Sequence, residues 1–184
     1  MLTRRGWFIL GVVALIVGAP VAWYLISPLF ITREVGESFP SGEATEAMQQ
    51  AAAEPTKMMV ETMPAGEAAS PAVIVSGEFY PIAHEGRGVA TIYLLPDGSR
   101  VLRFEDFEVL NGPDLHVWLV PVDPVANTVG VEIEGYVELG VLKGNVGNQN
   151  YDVPPGLDLT PFRSVVVWCL PFRVPFAAAP LRSP

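Results

Sequence analysis

The stretch SVVVWCL, residues 164–170, decides the fold class of this 184-residue chain. Successive side chains of a β-strand point to opposite faces of its sheet. The stretch therefore places two apolar sets back to back, and we predict a central strand that is covered on both sides. One face carries Val165, Val167 and Cys169, and the other carries Val166, Trp168 and Leu170.

Short runs rich in β-branched and aromatic residues extend outward from this strand, beginning at Val73. Gly, Pro, Asn and Asp separate them at spacings near ten residues, and no run has ten residues of helical periodicity. This pattern predicts an all-β domain, an antiparallel β-sandwich or barrel of about eight strands. The predicted strands are Val73–Phe79, Gly88–Leu95, Arg100–Phe107, Asp114–Val120, Gly135–Leu142, Gln149–Val153, Ser164–Leu170 and Arg173–Ala177.

Three local features refine this prediction. Pro96–Gly98 is a turn sequence that joins the second and third strands as a hairpin. The Asn-rich segment Gly144–Asn150 is interpreted as another hairpin turn, because Asn and Gly tolerate positive φ. Along Asp114–Val120, the period of two places Leu115, Val117 and Leu119 on one face, and Asp114, His116 and Trp118 on the other.

The N-terminal region has a different composition. Gly6–Thr32 contains no charged residue, with Arg4 and Arg5 before it and Arg33 after it. We predict that residues 1–33 form a cytoplasmic tip and one transmembrane helix. The positive-inside rule then makes the chain a single-pass protein of the cell membrane whose C-terminal domain is extracytoplasmic. A cleaved signal peptide is the alternative, which the length of the run and Pro20 disfavour.

Residues 34–72 join this predicted anchor to the β domain, which we place at 73–184. They are acidic and rich in Ala, Pro, Glu and Met, which predicts a tether. One alternative is that Ser41–Glu54 forms a short helix that docks on the domain. Another is that Met58, Met59 and Met63 bind copper, which the absence of nearby His and Cys disfavours.

The charge of the chain excludes some classes of function. A net charge of −9 and the lack of a basic stripe argue against nucleic acid as a partner. There is no G-x-S-x-G elbow, so a serine hydrolase is not indicated. With no complete metal-enzyme motif either, the sequence leans away from an enzyme.

Cys169 is the main candidate for chemistry. As the lone cysteine it has no partner for an internal disulfide. It is either a redox or cofactor-ligating thiol, or a buried inert one, because apolar neighbours raise the pKa of a thiol. His116, which shares a strand face with Asp114, and His84, in a loop, are the two histidines and the further candidates for cofactor binding.

The sequence requires no cofactor. Two His and one Cys are the ligand types of a blue-copper site, but no His or Met follows Cys169, so no metal site is predicted. A c-type haem attachment motif is also absent, which leaves haem or a metal bound through Cys169, His116 and His84 as a weakly supported option.

The order of these pieces resembles the DM-thirteen domain, a small extracytoplasmic module regarded as an electron-transfer domain. The most telling piece is the Val-rich strand ending in Trp168-Cys169, followed by Phe172-x-Val174-x-Phe176. The resemblance covers nearly all of Val73–Leu181. Its matching segments are Gly77–Phe107, Asn111–Pro121, Glu138–Pro154 and Phe162–Leu181.

The resemblance implies a β-rich domain in which Cys169 takes part in redox chemistry, as a bare thiol or by holding a prosthetic group. In animals such domains occur beside haem-binding domains of the DOMON type, so a redox partner protein is an expected partner. We therefore expect a membrane-tethered, extracytoplasmic electron-transfer module. The alternative is a non-catalytic cell-surface binding or structural β-domain in which Cys169 is only part of the core.

Overall fold

The structure, a computed structural model, describes residues 4–40 and 70–184. Within these residues the chain forms one α-helix, one short 3-10 helix and ten β-strands. The helix, α1, covers Arg4–Ile26, and the 3-10 turn Ser27–Phe30 follows it. The strands are β1 Glu34–Gly36, β2 Ala72–Glu78, β3 Tyr80–Pro81, β4 Gly86–Leu94, β5 Arg100–Val109, β6 Leu115–Val120, β7 Val137–Val141, β8 Val146–Asp152, β9 Ser164–Cys169 and β10 Val174–Pro180.

The strands form two five-stranded sheets that enclose a common core. The first sheet has the order β1-β8-β5-β4-β2, and the second has the order β3-β10-β9-β6-β7. Within the described residues all pairs are antiparallel except β1 with β8, and neither sheet closes into a barrel. Of the two predicted architectures, the β-sandwich is therefore the observed one.

Each of the eight predicted strands is present, with its ends shifted by up to three residues. The predicted hairpin at Pro96–Gly98 joins β4 to β5, whose residues pair from Leu94 with Arg100 onward. The sequence did not predict β1 and β3. Both are short and lie at sheet edges, where few residues are needed to complete a ladder.

The central position predicted for residues 164–170 is confirmed. β9 lies between β10 and β6, and each of its six residues is buried. Its inner face, with Val165, Val167 and Cys169, joins the main core between the sheets. Its outer face, with Val166 and Trp168, joins a second apolar cluster on the far side of the sheet.

The Asn-rich segment is not a hairpin turn, and that prediction was wrong. Residues from Val146 onward form β8, which pairs with β5. Asn and Gln are accommodated because their amides replace backbone partners. The buried Gln149 side chain donates a hydrogen bond to the carbonyl of Gly144 (2.9 Å) and accepts one from the backbone N–H of Gly144 (3.2 Å). The 142–145 connection instead crosses from one sheet to the other.

The first residues of the predicted tether are part of the domain. Glu34–Gly36 pairs with Val146–Asn148 as a parallel edge strand. Glu37 then accepts hydrogen bonds from the Lys143 ammonium (2.8 Å) and the Asn150 backbone (2.7 Å). The two alternatives for this region, a docked helix at Ser41–Glu54 and copper binding by three methionines, lie outside the described residues.

The predicted transmembrane helix corresponds in position to α1. Among the residues that the structure describes, no helix is both long enough and apolar enough to cross a bilayer. The transmembrane-helix prediction is therefore not supported. Several apolar side chains of α1 are exposed, among them Trp7, Phe8 and Trp23.

Candidate functional site

Cys169 ends β9 on its inner face and is fully buried. Its cross-strand neighbours are Leu115 on β6 and Val174 on β10. Its thiol donates a hydrogen bond to the carbonyl of Pro113, with 3.2 Å between Sγ and the oxygen. Burial raises the pKa of Cys169, and the nearby charge of Asp114 adds to this increase. The group is therefore a neutral thiol, the less nucleophilic of its two forms.

His116 occupies the opposite face of the same sheet. It lies on β6, and both of its ring nitrogens contact carboxylates: Nδ1 is 2.5 Å from Glu138 Oε1, and Nε2 is 3.1 Å from Asp114 Oδ1. Both nitrogens donate to these oxygens only when the ring is an imidazolium. The sequence predicted that His116 and Asp114 share a face; the contribution of Glu138 depends on the pairing of β7 with β6.

His84 lies elsewhere, in the loop after the edge strand β3. Its ring makes an edge contact with Phe176 at 4.2 Å between centroids, and burial lowers the pKa of its imidazole. Together with Leu110 it lines an open cavity of about 360 Å³. Because β3 and β6 are three strand spacings apart in the sheet, roughly 14 Å separates them.

The three predicted cofactor ligands do not form one ligand set. Cys169 points into the inner core, His116 is engaged by two carboxylates on the outer face, and His84 is at the sheet's edge. Among residues 4–40 and 70–184, no three side chains of His, Cys, Asp and Glu come together as metal ligands. These residues do not fit a haem or metal held jointly by Cys169, His116 and His84.

Sequence reasoning missed a column of aromatic rings on the outer face of the second sheet. The rings of Trp118 on β6 and Trp168 on β9 stack with 4.6 Å between centroids and 20° between planes. Tyr136 stacks on the other side of Trp118, at 3.9 Å and 15°. The signal was present in part, because the period of two separated each tryptophan from the face of its strand that carries Leu115 or Cys169. The sequence did not show that β6 pairs with β9, so the contact between the two tryptophans was not predicted.

The environment of this column, which we call the aromatic stack, is unusual. Trp118 and Trp168 are 0% and 1% exposed, whereas Tyr136 is 36% exposed. Within the described residues, the indole Nε1–H groups of Trp118 and Trp168 are the buried side-chain polar groups without a hydrogen-bond partner. A buried indole N–H normally finds an acceptor. The two unpaired groups therefore carry an energetic cost that burial of the rings must offset.

The loop of residues 121–136 covers the aromatic stack and supplies Tyr136 at its end. It lies on the outer face of the second sheet and is bound to the central strand β9 and the edge strand β3. The Ser164 hydroxyl donates to the carbonyl of Val122 (2.8 Å), and the backbone N–H of Val125 donates to the phenol oxygen of Tyr80 (2.9 Å). The outer face is thus covered by a loop, whereas the inner face is covered by a sheet.

The residues at the start of β6 contact both Cys169 and His116. Asp114 has a positive φ of 54° and accepts the Leu170 N–H at its backbone carbonyl, which binds the end of β9 to the start of β6. Its side chain contacts His116, and the preceding carbonyl, of Pro113, accepts the Cys169 thiol. A cavity of about 330 Å³ lies between this segment and the N-terminal residues Tyr24–Arg33.

Comparison with known proteins identifies the domain at the level of a family. The sequence model of the family described as Electron transfer DM13 matches residues 78–181. The match starts at the end of β2 and includes both strands that carry the aromatic stack. No curated protein and no solved structure matches the chain.

Proposed function

Because this chain belongs to the DM13 family of electron-transfer domains, we propose that its β domain passes single electrons between redox partners. The family match carries the proposal. It covers more than half of the chain and includes each residue of the candidate site, from Tyr80 to Phe176. The geometry adds that the domain has its own oxidisable side chains, a thiol and three stacked aromatic rings.

The assignment of Cys169 as the redox group stays a prediction from the sequence. Its support is the family resemblance and its position as the single cysteine of the chain. Its burial and raised pKa favour the structural role instead, because thiol chemistry proceeds through an accessible thiolate. Treatment of the native chain with an alkylating reagent, followed by mass spectrometry, tests this point. A thiol that reacts only after unfolding would remove Cys169 as an exchanging thiol.

The electron-transfer proposal is tested by repeated oxidation and reduction of the full-length chain. Photogenerated ruthenium(III) tris-bipyridine removes one electron per chain, and ascorbate returns it. We expect the chain to complete many cycles without a change in mass. Oxygen addition or cross-linking after a few cycles, at the same level as in the urea-unfolded chain, would overturn the proposal.

The second candidate function is a binding or structural β-domain without redox activity. The observation in its favour is the main core, in which Cys169 is packed among aliphatic side chains like any other buried residue. Under this proposal Cys169→Ser reduces stability and leaves partner binding intact. The cycling experiment separates the two functions, because only the electron-transfer proposal requires many reversible one-electron cycles.

We further propose that the domain lies outside the cytoplasm and is attached to a membrane. We also propose that it exchanges electrons there with a redox partner protein. The support is the pair Arg4 and Arg5 before an uncharged run, and the exposed apolar side chains of α1. Protease added to intact cells tests the location. Digestion of the domain without permeabilisation is expected, and full protection would contradict it. Release by high salt alone would contradict apolar attachment.

A further inference from the structure

We propose that the aromatic stack of Tyr136, Trp118 and Trp168 is the group that exchanges single electrons, and that electrons enter and leave it through Tyr136. This inference rests on the electron-transfer function proposed above and names the side chains that perform it. None of the three rings is a residue that the sequence indicated as a ligand.

The geometry of the stack supports electronic contact among the rings. The two ring pairs are nearly parallel, with 15° and 20° between planes and 3.9 Å and 4.6 Å between centroids. Face contact of this kind lets a positive charge on one ring spread over its neighbours. Each aromatic pair also stabilises the fold beyond its buried area. The stack is thus rigid and continuous from the half-exposed phenol to an indole that water does not reach.

The two unpaired indole N–H groups determine what happens to protons. An oxidised tryptophan is far more acidic than the neutral indole and normally loses its N–H proton to a base. Within residues 4–40 and 70–184, Trp118 Nε1 and Trp168 Nε1 have no acceptor. Their radical cations therefore keep the proton, and the electron returns without any proton having to be recovered. A purely structural stack gains nothing from these unpaired donors, each of which opposes folding.

Neighbouring charges favour a positive charge on the stack. His116 is the cross-strand neighbour of Trp168, and Glu138 is the cross-strand neighbour of Trp118. Side chains in such pairs on one face are roughly 5 Å apart at Cβ. The group of Asp114, His116 and Glu138 is net negative, at −1 when the ring is an imidazolium. A fixed negative charge beside a ring lowers the energy of its radical cation.

The exchange balances as follows. A one-electron oxidant, such as a ferric or ruthenium(III) centre, takes one electron from the Tyr136 ring and is itself reduced by one. One electron then passes from Trp118 or Trp168 to the oxidised phenol ring before the phenol loses its proton. The phenol O–H bond therefore stays intact, and the positive charge remains on an indole. A one-electron donor at the same surface, such as a quinol, finally reduces the indole radical cation.

The test is flash photolysis of the full-length chain carrying Trp7→Phe and Trp23→Phe, which leaves Trp118 and Trp168 as its tryptophans. Ruthenium(III) tris-bipyridine is the oxidant, and the optical spectra of tyrosyl and protonated tryptophanyl radicals are the readout. We expect the oxidised Tyr136 ring to convert to an indole radical cation before a tyrosyl signal accumulates. Tyr136→Phe should slow formation of the indole signal by roughly tenfold, as expected for a barrier raised by about 1.4 kcal/mol.

Tyr93→Phe is the matched control, because Tyr93 lies on β4 of the other sheet, with its ring against Phe39. It should leave the signals unchanged. Trp118→Phe should interrupt the conversion and leave a long-lived tyrosyl radical, with circular dichroism showing an intact fold. Reversible cycling with no effect of Tyr136→Phe or Trp118→Phe would overturn the assignment to the stack while preserving the electron-transfer function. An irreversible reaction of the unsubstituted chain would contradict that function itself.

Discussion

The two faces of the second sheet are built from the same strands but differ in what they contain and in what covers them. The inner face of β6 and β9 carries Leu119, Val167 and Cys169 and packs against the first sheet. The outer face carries the two tryptophans and His116 and lies under the 121–136 loop. Since neighbouring residues alternate between faces, Trp168 and Cys169 are consecutive in sequence but in different environments. The inner face is suited to stability and the outer face to chemistry.

The most decisive test of this difference between the faces is one large substitution on each face. Leu119→Ala removes a fully buried inner side chain and should lower the free energy of unfolding by about 3 kcal/mol. Reversible oxidation of the folded protein should not change. Trp118→Phe on the outer face should cost less stability, because an aromatic ring remains, but should change the radical signals. Urea denaturation and flash photolysis of both variants provide the measurements. Equal effects of both variants on oxidation would remove the distinction.

Cys169 provides the next largest effect, since it is the inner-face residue that the sequence connected with chemistry. Cys169→Ala leaves a small cavity and should lower the free energy of unfolding by about 1–2 kcal/mol. Electron exchange through the stack should persist. Failure of reversible cycling in this variant, with the fold intact, would place the redox group on the inner face after all.

The stability contributed by Cys169 also depends on pH. Burial raises the pKa of the folded thiol above that of a thiol in the unfolded chain, so the unfolded chain releases this proton first as the pH rises. The stabilisation is fully present below the unfolded pKa and is lost as the pH rises through the folded pKa. The difference in unfolding free energy between the wild type and Cys169→Ala should therefore shrink at alkaline pH. A difference that grows instead would mean that the folded protein favours the thiolate.

The sequence was sufficient to predict the faces but not the contacts between strands. The period of two grouped Leu115, Val117 and Leu119, and likewise Val165, Val167 and Cys169, on shared faces, and both groups lie in the main core. Local periodicity does not show which strands become neighbours. That depends on connections that are tens of residues long. That is why the contact of Trp118 with Trp168, and of His116 with Glu138, was not foreseen.

Composition also misdirected two predictions for physical reasons. Asn and Gly favour turns, but in β8 the buried Gln149 amide makes backbone-like hydrogen bonds, so a polar segment forms a partly buried strand. Residues 34–37 looked like the start of a tether because they are acidic. They are bound because Glu37 finds Lys143 and the Asn150 backbone, both supplied by a distant part of the chain.

The smallest predicted effect concerns how the two faces are covered, and it uses Tyr80. Its phenol oxygen accepts the Val125 N–H, and burial raises the pKa of its hydroxyl, so it stays neutral at ordinary pH. Tyr80→Phe leaves this N–H without its acceptor and should lower the free energy of unfolding by about 1 kcal/mol.

Because the loop opens locally whereas the sheets separate only on global unfolding, the loss of stability should fall on the outer face. In the Trp7→Phe and Trp23→Phe chain, acrylamide should then quench the remaining tryptophan fluorescence more strongly, while alkylation of Cys169 stays as slow as before. Tyr93→Phe, on the first sheet, should alter neither. Faster alkylation of Cys169 together with greater quenching would show that the two faces open as one unit.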